Sequence, residues 1–212
     1  FFARLLDVSP GLGLLTATGY SICGVSAVSA MVGAVDGDEE DATYAIALVT
    51  LFGSISIFAL PALGHLFNMG NVRFGMWAGS SVHDVAQVVA GATAYSPQSL
   101  SPAVIVKLTR VVLLAPLVAI MAYRHSHILQ RKLTPKSTAK VSPLPMFIVL
   151  FLLAVAIRTT GVLSDDIITN SKHIEKTLLA MALVGLGVGV NIKKLRLLGM
   201  RPLMLGVFSW VL

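Results

Sequence analysis

The chain has 212 residues, of which 56% are hydrophobic and only 12% charged, against about 25% charged in a soluble domain. With a mean hydropathy of +0.84 this is the composition of an integral membrane protein. The net charge of +6 does not mark a nucleic-acid binder, because the basic residues cluster in short loops between apolar tracts, where the positive-inside rule puts them.

In chain order, residues 1–7 read as the tail of a preceding span, closed by Arg4 and Asp7. Residues 11–35 carry no charge and are long enough to cross a bilayer at about 20 residues per span. The middle of that tract, 18–27, is rich in glycine and serine. Residues 36–41 form an acidic loop, and 42–67 the next span, with Pro61 a kink near its end. A short turn carries Arg73, and an apolar tract follows from Trp77 to Ala94. The two prolines of 96–102 mark a loop. Residues 103–123 span again, with Lys107 and Arg110 in the first half and Pro116 in the second. A basic loop, 124–142, is placed in the cytoplasm. The span 141–161 leads out to Asp165 and Asp166, and 177–191 leads back to Lys193, Lys194, Arg196 and Arg201. If every tract crosses once, Arg4, Arg73 and the basic loops share one side and the acidic loops the other. The chain opens on Phe1 and stops in mid-tract at Leu212, and is therefore read as part of a longer protein.

The tract around His83 carries the chemistry. Ser80, His83, Asp84 and Gln87 fall on one face of a continuous helix (i, i+3, i+4, i+7). Asp84 is the one acidic residue of ten that lies within an apolar tract, and a carboxylate at that depth is costly unless paired or facing water. A plain helix-packing hydrogen bond is the alternative. Gly19–Ala30 also aligns without gaps on Gly79–Ala90, matching at Gly, Ser, Val, Val and Ala. Transporters are often built from such repeats, with sites at broken helices in matching positions. Residues 19–21 and 79–81 are candidate starts of half-helices whose free N–H groups favour an anion. In a simple crossing count both copies run the same way, so an inverted repeat requires one to re-enter. Lys107 and Arg110 share a helical face. Asp84 neutralises one of them, and an anion pathway accounts for the surplus; the alternative is that both snorkel to headgroups. Adjacent His83 and Asp84 are residue types that couple transport to protons.

Weaker signals have plainer explanations. Gly185, Gly187 and Gly189 lack the context of a phosphate loop and read as small residues that let membrane helices approach. The single cysteine, Cys23, excludes an intrachain disulfide, and no zinc-type Cys/His spacing occurs.

Ser21-Ile-Cys-Gly24, the Gly79–Ala90 stretch, Lys107-Leu-Thr-Arg-Val-Val-Leu-Leu-Ala-Pro116 and Lys176-Thr-Leu-Leu-Ala-Met-Ala-Leu183 occur in the order found in the YeiH family of bacterial inner-membrane proteins, and together resemble it over nearly the whole chain. The resemblance implies a protein of about ten spans, of which this chain lacks the first three or four and the end of the last. It also implies export of a small inorganic or organic anion such as sulfate, the role by which the family is described. A familiar member carries glutamate where this chain has Asp84.

The expected fold is all-α, a multi-pass transmembrane bundle with internal repeats and broken or re-entrant helices, forming one membrane domain over 1–212. The expected pathway residues are Ser21, Cys23, Ser81, His83, Asp84, Gln87, Lys107 and Arg110. The partners are the lipid bilayer, a small anion and a coupling proton or ion, with a homo-oligomer open and nucleic acid excluded. No catalytic residue, metal or cofactor is assigned. The rival readings are an intramembrane enzyme using Cys23 or His83, and a membrane subunit that transports nothing.

Overall fold

A computed structural model describes residues 2–35, 37–130, 146–162 and 199–211, with isolated positions between 164 and 185. Expectations for Asp165, Asp166, Lys193, Lys194, Arg196 and the 131–140 part of the basic loop lie outside the described residues, as does most of the 177–191 tract.

The axis of the bundle is α4 (Glu39–Leu66), and every described residue of the architecture is helix or connection. Asp38 caps α4 by accepting from the Glu40 N–H at 2.8 Å, and Glu39, Glu40 and Asp41 complement the dipole in its first turn. Its 28 residues give about 42 Å at 1.5 Å per residue, enough for a hydrocarbon core of about 30 Å. Pro61 is buried inside the helix and does not end it.

The preceding pair, α2 (Pro10–Ser21) and α3 (Val25–Val35), does not cross. The helix α2, capped by Ser9 and entered through Pro10, runs in the same direction as α4. At its start Ser9 Oγ donates to Asp41 Oδ2 at 2.8 Å, and further along Tyr20 Oη donates to the Leu48 carbonyl at 3.4 Å. The helix α3 then runs back beside α2. A Cβ on Gly19 would meet Val28 Cγ2 at 2.9 Å, and one on Gly37, just past α3, would meet Leu15 Cδ1 at 3.8 Å. The reversal occurs at 22–24, where Gly24 takes a φ of +65°, a left-handed value that suits a residue without Cβ.

A second hairpin follows, α5 (Asn71–Ser81) and α6 (Val85–Tyr95). Phe74 at its start stacks on Tyr95 at its finish, with ring centroids 3.8 Å apart. Its reversal is the non-helical segment 82–84, which bends at 83–84. The helix α6 follows the direction of α4, with Gln87 beside Gly53 and Gly91 beside Ile57. The helix α5 follows that of α7 (Leu100–Val112): Gly75 and Gly79 lie directly against the backbone of Ser99 and Ala103. A short 3-10 turn, Pro97–Ser99, leads into α7, which passes through Leu113 into α8 (Leu114–Gln130). The helix α8 returns to the cluster that holds Val35 and Ala42. Two more helices are described, α9 (Met146–Thr159) and α10 (Met200–Val211); a four-residue α1 (Phe2–Leu5) precedes the rest. The last helix lies along α4, with Gly206 against Phe52 and Trp210 Nε1 donating to Ser56 Oγ at 2.7 Å.

The first hairpin therefore enters from the end where α4 begins, and the second from the end where α4 finishes. This corrects the simple crossing count. The tracts 11–35 and 77–94 are hairpins of half-helices 11 or 12 residues long, each about 17 Å and roughly half a bilayer core. Two such halves in sequence have the apolar content of one span, which is why composition alone misreads them. Among the described residues, the segments long and apolar enough to cross are Glu39–Leu66 and Pro97–His125. Gly37, Asp38 and the acidic first turn of α4, expected as a loop, consequently lie at the same end of the bundle as the end of α8, together with Asp7 and Arg201, which pair at 3.0 Å. Arg73 lies at the other end.

The two reversals fall sixty residues apart, in the register of the repeat. The copies enter from opposite ends, an inverted arrangement in which both re-enter.

Candidate functional site

The two hairpin tips meet beside the middle of α4, near Val49 and Gly53. A Cβ on Gly24 would lie 3.6 Å from Asp84 Oδ2, so the carboxylate of the second tip rests on the backbone of the first. Asp84 is also the N-cap of α6. Its Oδ1 accepts from the Ala86 N–H at 2.9 Å, and the buried Gln87 returns the favour by accepting the Asp84 N–H through Oε1 at 3.3 Å. Such a capping box satisfies two donors that a helix start leaves free. The seat at the start of α6 that an anion would take is thus already filled by a side chain.

The half-helices end at 19–21 and 79–81 instead of starting there, which overturns the expectation of anion-binding starts at those positions. The helix is interrupted at 82–84, with Val82 and Asp84 extended and a bend at 83–84, so Ser80, His83, Asp84 and Gln87 do not share one continuous helical face. The backbone groups that these helix ends offer to other partners, at Tyr20, Ser21 and Ser80, are carbonyls carrying the negative end of the dipole. The two cations of α7 answer them. Arg110 donates through Nε to the Ser21 carbonyl at 2.8 Å, through Nη2 to the Tyr20 carbonyl at 3.3 Å and to Ser21, and through Nη1 to the Ser80 carbonyl. One guanidinium ties together the ends of two half-helices that enter from opposite sides. Lys107 is fully buried and donates to the Ile22 carbonyl at 3.0 Å, so it does not snorkel.

Beside this junction lies a cavity of about 590 Å³. Arg110, His83, Ser80 and Ser81 form its inner wall with Tyr20 and Ser56. Leu60, Leu63, Trp77, Trp210 and Val211 continue it toward the end where α4 finishes. His83 is 3% exposed and packs on the Tyr20 ring at 4.2 Å between centroids. Neither of its ring nitrogens makes a well-formed hydrogen bond or opens to the cavity, and the polar neighbour of the imidazole is the Tyr20 backbone. Arg110 Nη1 keeps a second N–H after its bond to Ser80.

The expected site residues thus divide. Ser81, His83 and Arg110 line the cavity, while Asp84, Gln87, Lys107 and Cys23 build the tips behind it. Ser21, exposed, supplies its carbonyl to Arg110 and its hydroxyl to the Thr18 carbonyl at 3.2 Å. Tyr20, Ser56, Trp77 and Trp210 line the cavity without having been singled out in the sequence. Tyr20 adjoins the first glycine-rich break and was within reach of the repeat argument. Ser56 and Trp210 carry no local signal, because only the packing of α10 on α4 brings them in. No group of three or more His, Cys, Asp or Glu able to hold a metal occurs among the described residues.

Comparison with known proteins places this arrangement in a lineage. The family model described as Conserved hypothetical protein 698 matches residues 1–206. The chain is similar to the UPF0324 membrane protein of Corynebacterium glutamicum, 38% identical over 209 residues, covering 99% of this chain and 60% of that protein. It is 33% identical over 211 residues to the UPF0324 membrane protein of Photobacterium profundum, covering 100% of this chain and 62% of that one. The UPF0324 inner membrane protein YeiH of Salmonella typhimurium is 34% identical over 206 residues, or 93% of this chain and 57% of the relative. The chain thus spans about 60% of the length of the curated relatives it matches. No solved structure matches it.

Proposed function

The chain belongs to the Conserved hypothetical protein 698 (UPF0324) family of bacterial membrane proteins, and on that premise we propose that it carries a small anion across the inner membrane. The observation that carries this reading is the cavity lining, which among the described residues holds a guanidinium, an imidazole and several hydroxyls and no carboxylate. A donor-rich, cationic wall at membrane depth attracts an anion and repels a cation. Its position supports the same reading, since the cavity abuts the meeting point of two inverted hairpins, where transporters place substrate. Two half-length hairpins facing each other also suit alternating access, because either tip can shift without breaking a full span.

Arg110 supplies fixed charge and a free N–H, and the His83 ring, packed on Tyr20, forms part of the wall beside it. Lys107 and Asp84 hold the tips in register. Asp84, at the contact between the tips, is the group we assign to proton coupling. Sulfate belongs to the anion class proposed. Cys23 is buried away from the cavity lining, and no observation favours an enzyme built on it. The test is uptake of a panel of labelled anions into proteoliposomes holding the full-length protein. Saturable uptake of at least one anion, lost in Arg110→Gln, supports the reading; no uptake of any anion above empty vesicles overturns it.

A further inference from the structure

The cavity is larger, more apolar and less charged than a bare inorganic oxyanion requires. Its volume of about 590 Å³ falls within the range of roughly 300–1,000 Å³ typical of sites for organic ligands. The polar groups are confined to the inner wall at Arg110, His83, Ser80 and Ser81. From there Trp77 lies one helical turn outward on α5, and Leu60 and Leu63 one to two turns outward on α4. That gives an apolar extension about 10 Å deep at 1.5 Å per residue. Trp210 closes one side, and its indole is fixed by the bond from Nε1 to Ser56 Oγ at 2.7 Å. Charge points the same way. Arg110 is the one full cation in the lining among the described residues, and Lys107 is committed to the Ile22 carbonyl. A dianion would keep one charge uncompensated at membrane depth, where that is expensive, whereas a monoanion is matched.

Resting on the anion reading above, we infer that the ligand is a monovalent organic anion. Its carboxylate or sulfonate headgroup sits at Arg110, beside Ser81, and its apolar body, about the size of one ring, lies between Trp77 and Leu60 and against Trp210. The body fills a wall that water occupies poorly, and rings stack well on indole.

Binding to the full-length protein in nanodiscs tests this with four probes: benzenesulfonate, methanesulfonate, inorganic sulfate and the neutral benzenesulfonamide. Benzenesulfonate should bind at least tenfold tighter than methanesulfonate, and sulfate more weakly still. Trp77→Ala should remove most of the advantage of the ring while leaving methanesulfonate binding within about twofold. Leu63→Ser, at the outer wall where a folding defect is least expected, should reduce the same advantage in part. If sulfate or methanesulfonate binds as tightly as benzenesulfonate, or both variants keep the full difference, the organic-anion inference fails and anion transport stands. If benzenesulfonamide binds as well as benzenesulfonate, or no anion binds, the anion reading itself fails and takes this inference with it.

Discussion

Gly24 and Asp84 hold the two hairpins together: the Asp84 Oδ2 atom lies 3.6 Å from where a Cβ on Gly24 would stand. Arg110 and Lys107 make the complementary contact, donating to carbonyls at the ends of α2 and α5. The charges at the centre of the bundle are thus arranged by helix polarity, with the acid at a helix start and the bases at helix ends. The acid and the bases are each matched to backbone dipoles, and need not pair with each other.

That arrangement separates two roles of Asp84. Asparagine caps a helix about as well as aspartate, so Asp84→Asn should fold with a Tm within a few degrees of the parent. It cannot take up a proton. Uptake measured from pH 5 to 8 should therefore lose its pH dependence in this variant. A parental profile would remove Asp84 from proton coupling. Asp84→Ala, which deletes the cap as well, should cost about 0.5–2 kcal/mol of stability.

The inverted hairpins fix which loops share a side. Cysteines at Gly37 and Ser137 in a Cys23→Ala background should both label from the cytoplasmic face, since α8 leaves the bundle at the end where α4 begins and basic residues concentrate there. A cysteine at Asn71, at the start of α5, should label only from the opposite face. Labelling of positions 37 and 137 from opposite faces would mean that one hairpin crosses.

Much of this was legible in the sequence and part was not. The apolar tracts and the sixty-residue repeat come straight from composition and spacing. The break at 82–84 was hidden because Ser80, His83, Asp84 and Gln87 satisfy a helical face as well as they satisfy a helix start. The distinguishing signal was local: Asp84-Val-Ala-Gln87 has the spacing of a capping box, which marks a new helix. The depth of each hairpin was not legible, because an apolar half-helix pair has no length signature of its own. The apolar wall of the cavity was hidden for another reason. Trp210 is a hundred residues or more from every other lining residue except its neighbours on α10, and only packing joins them.

The second hairpin reaches α7 through glycines one turn apart, Gly75 and Gly79, whose missing side chains let the backbones touch. A methyl at Gly79 would run into the Ala103 backbone, which cannot rotate away. Gly79→Ala should therefore cost roughly 1–3 kcal/mol by overpacking. Gly33→Ala is the control, because a Cβ there meets nothing within 4 Å. It should be neutral or slightly stabilising, by up to about 1 kcal/mol from helix propensity. Thermal unfolding of the two variants in one detergent checks the difference, and equal Tm values would mean that α5 and α7 are less closely packed.

The two cations of α7 should fail differently when replaced. Arg110 lines the cavity and also bonds the carbonyls of Tyr20, Ser21 and Ser80. Lys107 is fully buried behind the tip on Ile22 and does not line the cavity. Arg110→Lys keeps the charge but not the planar fork that reaches both half-helices at once. It should weaken anion affinity at least severalfold and lower Tm as well. Arg110→Gln should abolish saturable uptake, since the lining then holds no full charge. Lys107→Gln should lose one charge-assisted bond, about 1.5–3 kcal/mol of stability, yet leave the affinity of the folded fraction within about threefold. Affinity and Tm measured together for the three variants decide the assignment. A Lys107→Gln protein with parental Tm and lost affinity would move the anion from the cavity to the tip. Near-parental affinity in Arg110→Gln would leave the cavity without its selective charge and end the case for it as the anion site.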